Sequence, residues 1–263
     1  MFEIPAALLS WFYGFTTSYT IAIGLMAILV IGITTPLTLK STKGMLAMQR
    51  LAPELDRLQN KYSNDRIKLN EEMMKLYQEN QISPIASCLP LVAQAPVFYI
   101  MFRVLQGLTY APRGSARPIA EAVWAALGRS DQVRDPGFIP RFLPFDSALY
   151  ESLFAEREMM SLGLDLSTSA ASALANGIAA WPYVLLVVVL GALYFVQQRM
   201  VAARASISPT MSPGLQKLLQ CLPVVFAVFQ VFFLAALVMY YVVQTLARIV
   251  QQAYITRWLF SGT

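Results

Sequence analysis

Tyr241, Gln244, Thr245 and Arg248 follow one another at spacings of 3, 1 and 3, inside an otherwise apolar stretch from Leu218 to Val250. That spacing places four polar side chains on one face of a helix. An arginine within an apolar span costs about 2.5–3.5 kcal/mol on insertion scales, so it faces a bundle interior or water. The chemistry open to such a face is recognition: a guanidinium attracts carboxylates, and amides and hydroxyls exchange hydrogen bonds with a passing chain. Arg103 is a second candidate charge, near the end of its own apolar run, where snorkelling is easy. Thr34, Thr35, Gln94, Gln106, Gln197, Gln198 and Gln230 are further polar residues in apolar runs, each also suited to an interhelical hydrogen bond.

Other chemistry has little to stand on. The chain has no histidine, which removes histidine bases, His-metal sites and His-containing triads. Cys88 and Cys221 lack both the spacing of a metal site and the partners of a nucleophile, so they read as reduced packing residues. Apart from Glu3, the acids lie on a solvated hairpin and in one long loop, with no pair inside an apolar run. Neither an enzyme nor a cofactor is expected.

The elements that must hold these residues are membrane helices. Of 263 residues, 57% are hydrophobic and 13% charged, about half the charge of an ordinary globular domain. The mean hydropathy is +0.53. This is the composition of an all-α integral membrane protein. Residues 19–37, closed by Pro36, read as a first span, residues 85–108 as a second and residues 181–200, entered through Trp181-Pro182-Tyr183, as a third. The 33 apolar residues from Leu218 to Val250 would measure about 50 Å as one helix, too long for a single crossing. They read as a hairpin over residues 218–252 that turns near Leu234-Ala235-Ala236. Its two helices are expected to span only about 24 Å each and to thin the bilayer around them. Residues 1–18 hold aromatic and aliphatic residues but no Lys or Arg, so they read as an interfacial helix rather than a signal peptide.

Charge placement orients the spans. All six lysines fall after the first span or after the third, and residues 37–82 carry eight basic residues. The 109–180 loop has six arginines against eight acids and no lysine. The positive-inside rule then puts the N-terminus outside and the 201–217 loop and 253–263 tail in the cytoplasm. Within the outer loop, Ala116 to Gly128 and Phe145 to Met160 read as amphipathic helices. The 38–84 segment reads as a cytoplasmic two-helix hairpin. Met45, Met48, Leu51, Leu55 and Leu58 form one stripe, Leu69, Met73, Leu76 and Tyr77 a second, and Tyr62-Ser63-Asn64-Asp65 the turn between them. Glu71 and Lys75 stand an i,i+4 step apart. Its bases are diluted by acids, which gives no nucleic-acid specificity. Either the stripes pack on each other or on the membrane, or the methionines offer an adaptable docking surface.

Three blocks make the sequence recognisable. Pro36-Leu37-Thr38 is followed by Met48-Gln49-Arg50-Leu51-Ala52-Pro53-Glu54-Leu55. Ser83-Pro84-Ile85-Ala86-Ser87-Cys88-Leu89-Pro90-Leu91-Val92-Ala93-Gln94-Ala95-Pro96 enters the second span. Leu222-Pro223-Val224-Val225-Phe226 precedes Tyr240-Tyr241 and Gln251-Gln252, and Gly163-Leu164-Asp165-Leu166 precedes the third span. In order and spacing the chain resembles the YidC-type membrane protein insertase family over almost its whole length, least in residues 109–158.

The resemblance implies five transmembrane helices enclosing a polar groove open to the cytoplasm and to lipid, in a bacterial inner (plasma) membrane. Hydrophobic clients would slide along the groove into the bilayer without nucleotide or metal. Nascent membrane proteins would arrive from the ribosome and the signal-recognition pathway, with or without the Sec translocon. On this reading Arg248, Tyr241, Gln244, Thr245, Arg103, Thr34, Gln197 and Gln230 line the groove. Met45, Met48, Arg50, Arg57, Lys61 and Met73 belong to a docking hairpin. Two departures stand out: Ile31 occupies the place of the family's usual span arginine, and Leu234-Ala235-Ala236 replaces its Pro-containing turn. The missing arginine leaves a folding or assembly factor without autonomous insertase activity as the alternative. A channel or transporter is disfavoured because the spans show no inverted repeat.

Overall fold

The computed structural model describes residues 1–63, 65–80, 89–111, 125, 137–177, 180–202 and 225–261. Cys88, Cys221, Pro223 and nearly all of the helix expected at Ala116 to Gly128 lie outside the described residues. The chain is mostly helical and divides into two compact units. One holds Met1–Val30, Pro96–Leu190 and Phe229–Gln244; the other holds Ile31–Ala95, Gly191–Val228 and Thr245–Thr263.

The first long helix of the chain, α2 (Tyr19–Arg50), follows a short amphipathic one, α1 (Glu3–Thr16). Two helical stretches among the described residues are long and apolar enough to cross a membrane, Tyr19–Gly44 and Trp181–Met200. The latter lies in α8 (Trp181–Ala202). Both leave large apolar side chains uncovered, among them Ile21, Ile28 and Ile33 on α2 and Leu185, Val188 and Phe195 on α8. A surface of that kind suits hydrocarbon, where each helix satisfies its own backbone.

Pro36 does not end the first span; α2 runs on to Arg50. A proline inside a helix forfeits one backbone hydrogen bond. Here side-chain hydroxyls bond the backbone on both sides of it. Thr34 and Thr35 donate to the Ile31 carbonyl at 3.2 and 2.7 Å, Thr38 to Thr34 at 3.1 Å, and Thr42 to Thr38 at 2.9 Å. The helix breaks later, at Leu51, whose N–H turns back to the Met48 carbonyl at 3.1 Å. Pro53 then sits in the first turn of α3 (Ala52–Lys61), where a missing N–H costs nothing.

A hairpin follows. Asp65 accepts the Lys68 N–H at 3.1 Å and caps α4 (Arg66–Glu79), a favoured use of an aspartate at a helix start. Met48, Leu51, Leu55, Leu69, Met73 and Tyr77 bury one another, with Leu58, Tyr62 and Leu76 packed alongside. On its surface Lys75 reaches Glu72 at 2.8 Å rather than Glu71 four residues away. The hydrogen bond from Lys75 holds the Glu72 carboxyl below the usual carboxylate range and in return raises the ammonium. Being exposed, the pair adds little stability.

In the other unit α1 buries Ala6, Leu9 and Ser10 and exposes Ile4, Leu8, Trp11 and Phe15. Its buried side packs on α6 (Ala148–Leu153). α5 is Leu89–Leu108. The helix expected from Phe145 to Met160 is cut down to α6, because the chain then pairs with a distant strand of backbone. The Phe138 N–H meets the Glu156 carbonyl at 2.7 Å, and the Ala155 N–H meets the Phe138 carbonyl at 3.1 Å. Gly137 permits this approach: a Cβ there would lie 2.2 Å from the Ala155 carbonyl oxygen. Burial pushes the Tyr150 hydroxyl up from its ordinary value.

β1 (Met160–Ser161) and β2 (Leu164–Asp165) form a small antiparallel hairpin. Leu162 and Gly163 turn it with φ of 53° and 76°, the positive pair of a type I′ turn. The Asp165 carboxylate accepts from Met159 N (2.9 Å), Ser167 N (2.9 Å), Ser167 Oγ (2.7 Å) and Thr168 Oγ1 (2.6 Å). Its own N–H donates to the Tyr183 hydroxyl on α8 at 3.2 Å. Thr168 and Leu166 in turn offer their carbonyls to the N–H groups of Ala235 and Ala236, both at 2.9 Å. Between these elements lies α7 (Ala170–Ala175), and a 3₁₀ turn at Gln230–Phe232 leads to α9 (Ala235–Ser261).

This corrects the expected last hairpin in two ways. Its turn comes at Gln230 to Leu234, with Ala235 and Ala236 already in the helix. And α9 has 27 residues, about 40 Å, so the helix is longer than the expected one of about 24 Å. It continues through the expected tail because Arg257 and its neighbours bring no helix breaker.

Two outcomes test this account. Met73→Ala should destabilise the α3–α4 hairpin by about 2–5 kcal/mol, read as lost hydrogen-exchange protection over both helices, while the exposed Ile67→Ala should not. Asp165→Ala should remove about 1.5–3 kcal/mol, read as a lower Tm in detergent, with faster amide exchange at Met159 and Ser167.

Candidate functional site

α9 carries the polar face that the spacing predicts. Tyr241, Gln244 and Thr245 are 2–3% exposed. They are therefore packed residues rather than the lining of open water. The Gln244 amide donates to the Tyr240 hydroxyl at 3.2 Å, and the two tyrosine rings meet edge to face at 5.2 Å. Gln230 is fully buried in the 3₁₀ turn.

One turn further along, the face opens. Arg248 is half-buried, and its Nη2 donates to Gln94 Oε1 on α5 at 2.5 Å. Gln251 Nε2 donates to Thr35 Oγ1 on α2 at 2.7 Å. Three helices are thus joined by two polar pairs, each using a residue that position alone singled out as polar among apolar neighbours. Gln251 carries no such mark in the sequence, since it sits beyond the apolar stretch. Thr34 bonds its own helix, and Gln197 is half-buried on α8. Ile31 is buried at 7% exposure.

Arg103 stands elsewhere, exposed on the last turns of α5. It lines a cavity of about 830 Å³ together with Arg141, Arg157, Ser167, Ser172 and Asn176. The Arg141 guanidinium lies over the Tyr110 ring, 3.4 Å from its centre, a cation–π contact that fixes it in place. Neither Arg141 nor Arg157 has a sequence signal: both come from an irregular loop, and only the fold brings them beside Arg103.

On the hairpin, Arg50, Arg57 and Lys61 are exposed. Met48 and Met73 are buried at 6% and 1%. That corrects their expected docking role, because the two stripes cover each other. The side chain of Met45 lies outside the described ones. Among the described residues no cluster of His, Cys, Asp or Glu could hold a metal.

A protein named membrane protein insertase YidC from Geobacter sulfurreducens is 28% identical over 95% of the chain. Proteins of the same name from Maridesulfovibrio salexigens and Marinobacter nauticus are 31% and 30% identical over 93% and 97% of it. The chain spans about a third of the length of these relatives, 36%, 36% and 35% respectively. The family model described as 60Kd inner membrane protein matches residues 11–261. With nearly every helix and both polar pairs inside that match, the chain belongs to the 60Kd inner membrane protein family.

Proposed function

We propose that this membrane protein is an insertase and chaperone that moves hydrophobic client segments from the cytoplasm into the bilayer. The observation that carries the reading is Arg248, a guanidinium on an apolar helix, held by the neutral amide of Gln94. That bond positions the guanidinium fork on the helix, and a carboxylate on a client gains from approaching a positioned guanidinium. The names of the relatives support the same activity.

In this proposal five helices cross the membrane: α2, α5, α8, the segment that includes residues 225–229, and α9. The N-terminus is outside and the C-terminus cytoplasmic, as the lysine distribution requires. The polar groove centres on Arg248, Gln94, Gln251 and Thr35. A client's polar flank keeps hydrogen bonds in the groove, and its apolar segment meets lipid at the side. Burial of that segment drives the step at about 25 cal/mol per Å². The α3–α4 hairpin presents Arg50, Arg57 and Lys61 to incoming ribosome-bound or signal-recognition-delivered clients, with or without the Sec translocon. Ile31, buried where a charge is expected, favours one second reading: a folding or assembly factor that does not insert clients alone.

The test is insertion of a short client with an acidic translocated tail into liposomes containing only this protein, scored by protease protection. Wild type should protect well above empty liposomes. Arg248→Ala should reduce protection about tenfold, while a neutral-tailed client changes less than about twofold. Equal loss for both clients removes Arg248 from the mechanism. No protection with wild type, correctly folded and oriented, favours the assembly-factor reading or an obligate partner such as the translocon.

A further inference from the structure

The 109–180 loop is net acidic, with six arginines against eight acids. Yet among the described residues the cavity that it helps to wall carries three arginines, Arg103, Arg141 and Arg157, and one carboxylate, Asp165. That carboxylate is already engaged by two backbone N–H groups and two hydroxyls. The two ion pairs found among the described residues both lie on the α3–α4 hairpin, so Asp165 does not neutralise Arg103 or Arg141. Among the described residues the fold thus brings Arg103 and Arg141 to one concave site of about 830 Å³, within the size range of ligand pockets.

We infer that this cavity is an anion site that holds the carboxylates of an acidic peptide segment. The segment would be the translocated tail of a client, so the inference rests on the insertase reading. In the proposed topology the C-terminal end of α5 is the outer one, and the cavity beside it meets what has already crossed. Two features favour a peptide over a lipid headgroup. The wall is predominantly polar, with Ser167, Ser172 and Asn176 among its residues. Its aromatic residues Phe102 and Phe233 pack on each other at 5.5 Å rather than offering a slot for an acyl chain. Arg141, pinned on Tyr110, presents a preorganised guanidinium fork, which suits a carboxylate better than a mobile lysine would.

The experiment measures binding, not insertion. The full chain in nanodiscs of zwitterionic lipid is titrated into a fluorescent heptapeptide of Glu and Ser, and into the same peptide with Gln for Glu, by anisotropy. The acidic peptide should bind at least about tenfold more tightly, and that preference should shrink as salt rises. Arg103→Gln with Arg141→Gln should abolish the preference, the corresponding double Lys variant should keep part of it, and Arg199→Gln should leave it unchanged. Equal binding of the two peptides by wild type overturns the inference, as does a salt-independent preference; both are read on the native protein whether or not the variants fold. Displacement of the peptide when phosphatidylglycerol enters the nanodisc, at constant ionic strength, assigns the site to a lipid headgroup and likewise overturns it. A wild type that shows the preference but inserts no client overturns the insertase reading alone, and one that inserts clients without the preference overturns this site alone.

Discussion

The first N–H groups of a helix have no partners within it, and in a membrane protein they cannot be left to hydrocarbon. At the start of α9 they are taken by the carbonyls of Leu166 and Thr168. Those carbonyls are in position because the Asp165 carboxylate gathers the backbone and side chains around it. This single knot sets where α9 begins, and therefore which of its residues face the other helices. Tyr240, Tyr241 and Gln244 turn inward as a consequence, and Arg248 follows one turn later on the same face.

The same constraint explains how α2 tolerates Pro36. A helix in hydrocarbon cannot lose backbone hydrogen bonds to water, and threonine hydroxyls at positions 34, 35, 38 and 42 add bonds to its carbonyls. Irregular backbone is placed instead where it pairs with other backbone, as Phe138 does with Ala155 and Glu156. Gly137 is what that pairing demands of the sequence, since any side chain there would strike the Ala155 carbonyl.

Charge is managed by similar means in both units, with different results. Asp165 is surrounded by donors and is structural. Arg248 is positioned by the amide of Gln94, and Arg141 by the ring of Tyr110. A positioned guanidinium suits a carboxylate that arrives from outside the fold, which is the common element of the proposed groove and the inferred anion site.

Composition and periodicity alone determined that the chain is helical and membrane-bound, that α9 has a polar face centred on Arg248, and that two apolar stripes form a hairpin. These follow from local rules: hydrocarbon needs about 20 apolar helical residues, and side chains three and four apart share a face. Which way the methionines of the hairpin point was not a local matter. Two stripes can each meet a client or each other, and only packing chose the latter for Met48 and Met73. The start of α9 depended on bonds from Ala235 and Ala236 to the distant Thr168 and Leu166 carbonyls, which no window of sequence displays. The gathering of Arg103, Arg141 and Arg157 around one cavity was decided by tertiary structure alone. Residues far apart in an irregular loop have no period to betray them, and their meeting is fixed by backbone bonds between segments distant in the chain.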